Sequence, residues 1–193
     1  RNLYTSPVHF RSPSYREFES TASEQPDSRN PLQAGDQMGP FTVLYPAPAC
    51  KTAFPKASDN ALVLRAEIYG TRFLLLSDLG HLGQNALLNS AETNSANRNF
   101  LQADIVIAGL PGFEDDEPLS DALLHAIQPC AIIIADTRQP ANKRAGAKLK
   151  QRLALHHIPV FYTSITDGIT LTIRPREWEL RAMDGSSISS ASR

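Results

Sequence analysis

The chain has 193 residues, with 19 lysines and arginines against 20 aspartates and glutamates, so its formal net charge is −1. This balance excludes a strongly basic nucleic-acid binder as a whole but leaves room for local basic patches. The length suits one domain, or one and a half, with a sizeable core. The longest apolar runs, such as 73–76, are far too short to span a bilayer. The chain begins with Arg1 rather than Met, so we expect a fragment of a longer protein.

The first third of the chain has little regular pattern, because its many prolines interrupt any long helix. Two elements are predicted there. A short helix covers 14–22, where Tyr15 and Phe18 lie three residues apart, and a strand covers 41–45 and ends at Pro46. Residues 20–30 are predicted to form a mobile loop, and residues 1–31 as a whole an irregular N-terminal segment.

From position 60 onwards, strands and helices alternate. Residues 61–69 and 72–77 are predicted to pair as a hairpin, since Gly70-Thr71 between them is a tight-turn signal. The continuous apolar run 132–134 indicates a strand covered on both faces, as in a layered α/β domain. The other predicted elements are strands over 104–108, 131–135, 160–163, 169–173 and 177–183, and helices over 84–89, 119–127 and 142–156, with Ser120 as the N-cap of the second helix.

The order of these elements defines the predicted fold class, which is α/β with α+β character. The chain starts rich in β-structure, becomes α/β in the middle and ends in a hairpin, unlike a plain doubly wound sheet. We place the domain at 32–183 and predict a disordered, serine-rich tail over 184–193.

The sharpest local feature is Ser77-Asp78-Leu79-Gly80, which directly follows a strongly apolar strand. A carboxylate at the end of a buried strand is costly unless a cation or several hydrogen bonds meet it. Metal sites and phosphoryl-transfer sites use this placement, and His81 is a candidate second ligand. The alternative is an Asp that accepts hydrogen bonds from the following turn, with a solvated His81.

Charge is patterned further along the chain. Four carboxylates at 114–117 would repel phosphate, so we expect no nucleotide cradle at 109–112. We interpret the acidic run as a solvated loop, and the alternative is a site for a divalent ion. Arg144, Lys148 and Arg152 are spaced four residues apart on the helix predicted over 142–156 and fall on one face. Such a face can contact a phosphate backbone. The alternative is a solvated face without a ligand.

Six segments, taken in order, resemble one known family. They are Ala34-Gly35-Asp36, Val43-Leu44-Tyr45-Pro46, 59–65, 73–80, 103–106 and 166–170. The family is the metallo-β-lactamase-like domain at the C-terminus of ComEC-type competence proteins, the DNA-uptake channels of bacteria. The resemblance extends from about 32 to 175. It implies the C-terminal part of an αββα sandwich, hydrolysis of nucleic acid with two metal ions, and a metal-bridging role for the position of Asp78.

The sequence departs from the family at most metal-ligand positions. It has no HxHxDH motif, the family's His-His-Gly-Ser is replaced by Leu110-Pro111-Gly112-Phe113, and the family's Gly-His-Pro falls near Lys143-Arg144-Ala145. A single carboxylate cannot hold a dinuclear site, which needs several His and Asp ligands. We therefore expect a degenerate domain without hydrolase activity and without zinc or manganese, in which Asp78 is a vestigial metal ligand.

The resemblance also implies partners and a location. The chain would be a soluble domain at the bacterial cytoplasmic membrane, beside the membrane channel of the same full-length protein. Arg144, Lys148 and Arg152 would make a weak contact with DNA. Two other functions stay open: a nuclease or phosphodiesterase that uses zinc or manganese and is completed by upstream sequence, and a small-ligand-binding α/β module with a pocket near 109–112. No motif identifies a small-molecule substrate.

Overall fold

The computed structural model describes residues 3–10, 12–24, 29–48, 54–93, 99–112 and 116–190. The N-terminal part contains two short strands that pair in parallel, β1 (Leu3–Thr5) and β2 (Arg29–Pro31), with helix α1 (Pro13–Ser23) between them. The helix confirms the one predicted over 14–22. It begins where Ser12 Oγ accepts the N–H of Tyr15, with Pro13 at the first helical position.

Within the described residues, the central sheet has seven strands and mixed direction. Its antiparallel part ends at β6, and from β6 onwards neighbouring strands are parallel. The predicted hairpin of β5 and β6 is confirmed, but its turn lies one residue earlier than Gly70-Thr71. Tyr69 and Gly70 both have positive φ, as in a type I′ turn. The strands, in spatial order, are β3 (Gln37–Met38), β4 (Phe41–Tyr45), β5 (Val63–Ile68), β6 (Thr71–Ser77), β7 (Ile105–Gly109), β8 (Ala131–Ala135) and β9 (Val160–Tyr162).

Helices cover one face of this sheet. The buried residues Leu87, Leu123 and Leu153 pack there against strand residues such as Leu74 and Ile132. The helices that follow α1 are α2 (His81–Thr93), α3 (Asp121–Ile127), α4 (Ala147–Ala154) and α5 (Thr163–Thr166), with 3₁₀ helices at Ser58–Asn60 and Ala141–Lys143. In the described residues, no helix combines the length and the apolar character that a membrane span requires.

A three-stranded antiparallel sheet packs on the other face. It consists of β10 (Ile169–Arg174), β11 (Glu177–Ala182) and β12 (Ser187–Ser189). Trp178 and Leu180 are buried against Phe73, Ile105 and Ile133 of the central sheet, and we call this layer the inter-sheet core. Both faces of the central strands are thus covered, as their continuous apolar runs predict.

Several predicted segments differ from the structure. The tail expected to be disordered from position 184 forms β12, because Ile188 packs against the inter-sheet core and Gly185 (φ 90°) turns the chain back onto β11. The loop expected over 20–30 is helical up to Ser23 and ends in β2; residues 25–28 lie outside the described part. The short helix expected over 84–89 extends from His81 to Thr93.

Candidate functional site

A cavity of about 570 Å³ opens at the carboxyl edge of the central sheet, where β6, β7 and β8 end. Open α/β sheets commonly bind ligands at this edge, because the loops after neighbouring parallel strands meet there. The cavity has an apolar floor and a polar rim. The floor includes Leu62, Leu64, Leu75 and Ile107, and the rim includes Ser77, Asp78, Thr137 and Lys143.

Asp78 lies at this edge directly after β6, as predicted, and β5 and β6 are adjacent antiparallel strands. Ser77 has a left-handed backbone (φ 53°) that turns the chain out of the sheet. The Asp78 side chain is exposed, and Ser77 Oγ donates to its Oδ1 atom at 3.3 Å. A Cβ atom at Gly109 would lie 3.1 Å from the carbonyl oxygen of Ser77, so the glycine lets β7 end this close to the turn before Asp78.

The side chains of this cavity do not fit zinc or manganese. Asp78 is the one carboxylate among the described lining residues, and Lys143 contributes a cationic ammonium group. In the parts of the chain that the structure describes, no three His, Cys, Asp or Glu side chains are grouped so as to hold a metal ion. Zinc usually takes four ligands, and a single carboxylate with two hydroxyl groups falls well short of that.

His81, the candidate second ligand, lines a different cavity. It begins α2, and its Nε2 atom lies 3.2 Å from Nδ2 of Asn85, one turn later. The cavity that it lines has a volume of about 260 Å³ and is bordered also by Asp121, Lys148 and Arg152. His81 therefore adds nothing to the donor set around Asp78.

The three basic residues do not form one stripe on a helix. The prediction of a continuous helix over 142–156 is wrong, since α4 begins at Ala147 and Arg144 lies before it. The physical reason is Asp136, whose Oδ2 atom accepts the N–H of Ala145 at 2.9 Å and holds that segment out of helical geometry. Lys148 is on the helix, with a side chain that is 90% exposed and 3.6 Å from Glu117 Oε1.

Arg152 ties α4 to the segment before α3. Its guanidinium donates to Glu117 Oε2 at 2.9 Å, to Asp121 Oδ1 at 2.8 Å and to the two backbone carbonyls of 118–119 at 2.8 and 2.7 Å. His156 Nε2 lies 3.0 Å from the same Asp121 Oδ1 atom. Hydrogen bonds from Arg152 and then His156 hold the pKa of Asp121 below its usual range. The side chains of Arg152, Glu117, Asp121 and His156 form what we call the Arg152 cluster.

Two members of the acidic run are ion-pair partners rather than solvated side chains. Glu117 belongs to the Arg152 cluster, and Asp116 Oδ2 lies 2.7 Å from Lys56 Nζ. The prediction of a solvated loop is therefore wrong for these two residues, while 114 and 115 lie outside the described part. For Glu117, the sequence contained a signal for this pairing. The segment 137–166, which includes Arg152, has several basic residues and no acidic one.

Asp136 is a further residue of this edge that the sequence reasoning missed. It is buried directly after β8, and its carboxylate accepts from the N–H and Oγ of Ser164 at 2.8 and 2.6 Å as well as from Ala145. These bonds connect the loop before α4 to α5. The available signal was the one that identified Asp78, a carboxylate at the end of a buried strand.

The cavity at this edge therefore has an apolar floor and a rim with one carboxylate, one ammonium group and two hydroxyl groups. Gly109 and Leu110 line the cavity, so a pocket of the kind that a small-ligand-binding module would need lies near 109–112. Such a set can orient a polar molecule by hydrogen bonds but supplies no described histidine or cysteine for nucleophilic or metal chemistry. No protein-family model matches the chain, and no curated protein matches it.

Proposed function

We propose that this chain is a degenerate metallo-β-lactamase-like domain of the ComEC type that does not hydrolyse nucleic acid. The observation that carries the proposal is the isolation of Asp78. It lies at the edge of the sheet where the resemblance expects a metal-bridging aspartate, but the described lining of the cavity contains no other carboxylate, histidine or cysteine. Two-metal hydrolysis needs several such ligands around a pair of ions.

The layers of the fold support the αββα part of the proposal. Helices α2, α3 and α4 pack on one face of the central sheet, and the three-stranded sheet packs on the other. In the described residues, one helical layer and two stacked sheets are three of the four layers of an αββα sandwich. We assign the chain to the C-terminal part of such a sandwich.

A domain without hydrolase chemistry is left with a structural role or a weak contact with DNA. We place it beside the membrane channel of the same full-length protein, at the bacterial cytoplasmic membrane. Arg144 and Lys148 favour the contact, since both are exposed and line one shallow cavity. Asp116 and Glu117 line the same cavity, so any attraction for phosphate there would be weak.

Hydrolysis assays with Mn²⁺ and Zn²⁺ test the proposal. The substrates are bis(p-nitrophenyl) phosphate, single-stranded DNA and duplex DNA. We expect no cleavage above a protein-free control, and no stoichiometric binding of either ion by calorimetry. The matched variant Asp78→Asn, which removes the charge at equal size, should behave like the unchanged chain in both measurements.

Metal-dependent cleavage that Asp78→Asn abolishes would overturn the proposal. Stoichiometric metal binding that the same variant removes would overturn its metal-free part. The same results from a longer protein containing this chain would instead favour the nuclease completed by upstream sequence.

A further inference from the structure

A second cavity, of about 540 Å³, lies at the amino ends of β7 and β8, the opposite edge of the central sheet from the candidate site. It lies between the two sheets, with Thr71 of β6 on one side and Trp178 of β11 on the other. The β10–β11 turn closes one side, because the backbone N–H of Arg176 donates to the carbonyl oxygen of Tyr69 at 3.5 Å. The function proposed above does not use this cavity.

Aromatic and apolar side chains line much of it. Trp178 is 5% exposed and belongs to the inter-sheet core, so its indole is held in place on the cavity wall. Tyr69 lies at the rim and is 65% exposed, an unusual exposure for a large ring. Ile188 of β12 completes the apolar part. Walls of this kind suit a flat apolar group, which aromatic side chains contact by stacking or edge-to-face packing.

Thr71 supplies an unpartnered polar group inside the cavity. The residue is 4% exposed, and its hydroxyl makes no hydrogen bond to any described residue. Its side chain lies on the same face of β6 as Phe73, which is the face toward the inter-sheet core. The hydroxyl oxygen is not fully enclosed by protein atoms, so a ligand atom in the cavity can reach it.

The described lining carries one carboxylate and one guanidinium, and the carboxylate is already paired with Arg72, which lies outside the lining. Asp104 is the one carboxylate there, and Arg72 neutralises it through Nε and Nη2 at 3.2 and 2.9 Å, with a further bond from the Arg72 backbone N–H at 2.8 Å. Arg176 is exposed, and no carboxylate of the described residues forms an ion pair with its guanidinium. Its charge is therefore available to an anion, which a guanidinium can bind with two parallel hydrogen bonds.

We propose that this cavity binds a small organic anion with a flat apolar body, such as an aromatic carboxylate. The aromatic body packs against Trp178 and Tyr69. The carboxylate pairs with the Arg176 guanidinium, and the Thr71 hydroxyl donates a hydrogen bond to the ligand.

Titration with biphenyl-4-carboxylate tests the site directly. Trp178 is the single tryptophan of the chain, so one indole N–H resonance in a ¹⁵N-correlated spectrum reports on this cavity. We expect saturable shifts of that resonance and binding heat by calorimetry. The uncharged biphenyl-4-carboxamide should bind at least about tenfold more weakly, because a charge-assisted hydrogen bond contributes on the order of that factor.

Variants distinguish the effect of the Arg176 charge on binding from damage to the fold. Arg176 has a φ of 67°, a conformation that favours glycine, so Arg176→Gly removes the guanidinium without straining the turn. It should weaken the carboxylate about tenfold and leave the amide unchanged, whereas Arg176→Lys should retain most of the binding. Thr71→Val, of equal shape, should weaken binding a few-fold. The matched control is Arg174→Ala, on the exposed end of β10 outside the cavity lining.

Three results would overturn the proposal. The first is an unshifted Trp178 resonance at saturating ligand concentrations. The second is equal affinity for the carboxylate and the amide. The third is binding that survives Arg176→Gly but is lost in Lys143→Ala, because that would place the ligand in the cavity near Asp78.

Discussion

Arg152 and Lys148 lie one turn apart on α4 and carry the same charge, but their side chains are used differently. The Arg152 side chain is 20% exposed and donates four hydrogen bonds within the Arg152 cluster and to the carbonyls of 118–119. Lys148 is 90% exposed, and its one ion pair among the described residues, to Glu117, is 3.6 Å long. Planar, multidentate recognition is what a guanidinium does better than an ammonium group.

These contacts predict a large difference in stability between two alanine variants. Arg152→Ala should lower the free energy of unfolding by about 2–3 kcal/mol, because it leaves Glu117 and two backbone carbonyls without their donor. Lys148→Ala should change it by less than about 0.5 kcal/mol, as for other exposed ion pairs. Urea unfolding of the two variants checks this. Equal losses would mean that the Arg152 cluster does not hold α4 in place.

At the scale of elements, helix α2 depends on a residue from outside the helix. Asp59 is 1% exposed, and its Oδ1 atom accepts the N–H groups of Leu82 and Gly83 at 2.9 and 3.2 Å. The carboxylate thus satisfies two of the unpaired donors of the first turn and lies at the positive end of the helix dipole. This close approach requires a glycine at position 80, directly before the helix, because a Cβ atom there would lie 2.5 Å from that oxygen.

This packing predicts that Gly83→Ala destabilises the protein, against the usual helix propensity. A Cβ atom there would lie 2.7 Å from the carbonyl oxygen of Asp59 and 2.6 Å from Leu79 Cδ1. We expect a loss of about 1–3 kcal/mol from overpacking, whereas an open helical site would gain about 0.5–1 kcal/mol from the same change. Gly146→Ser is the matched control, since the N-cap of α4 has open space and serine caps slightly better than glycine. Thermal unfolding measures both, and a stabilised Gly83→Ala variant would contradict the packing.

At the scale of the whole molecule, charge limits what the protein can do with nucleic acid. The chain as a whole has a net charge of −1, so long-range attraction to DNA is weak. Of the three basic residues predicted to contact phosphate, Arg152 is bound by two carboxylates, which leaves Arg144 and Lys148. The tertiary structure thus reduces the expected contacts from three to two.

The salt dependence of DNA binding measures the number of phosphate contacts. Two phosphate contacts predict a slope of about −1.8 in log K against log salt for duplex DNA, at about −0.9 per contact. The double variant Arg144→Ala/Lys148→Ala should remove most of this slope. Arg181→Ala, on the three-stranded sheet and paired with Glu179, should leave it unchanged. Fluorescence anisotropy with a labelled duplex gives the slopes, and binding that is absent or insensitive to salt would leave these residues as a solvated surface.

Local signals were enough to predict most elements of the fold and the position of Asp78. The strand over 41–45 ends at Pro46 as predicted, the strand over 131–135 is confirmed, and Ser120 is the N-cap of α3. Hydrophobic period, turn residues and caps act over a few neighbouring positions, so a sequence states them directly. The mixed α/β class follows from the order of these elements.

Contacts between residues distant in sequence were decided only by the tertiary structure. Asp136 accepts a hydrogen bond from Ala145 and so delays the start of the helix predicted over 142–156. Glu117 and Asp116 of the acidic run pair with Arg152 and Lys56. Ile188 packs against the inter-sheet core, although its composition predicts a disordered tail there. Each outcome depends on partners brought together by folding, where a buried charge or an apolar surface must be satisfied by whatever lies nearby. Sequence by itself determined most of the strands and helices. Tertiary contacts decided the remaining elements and which charges remain available to a ligand.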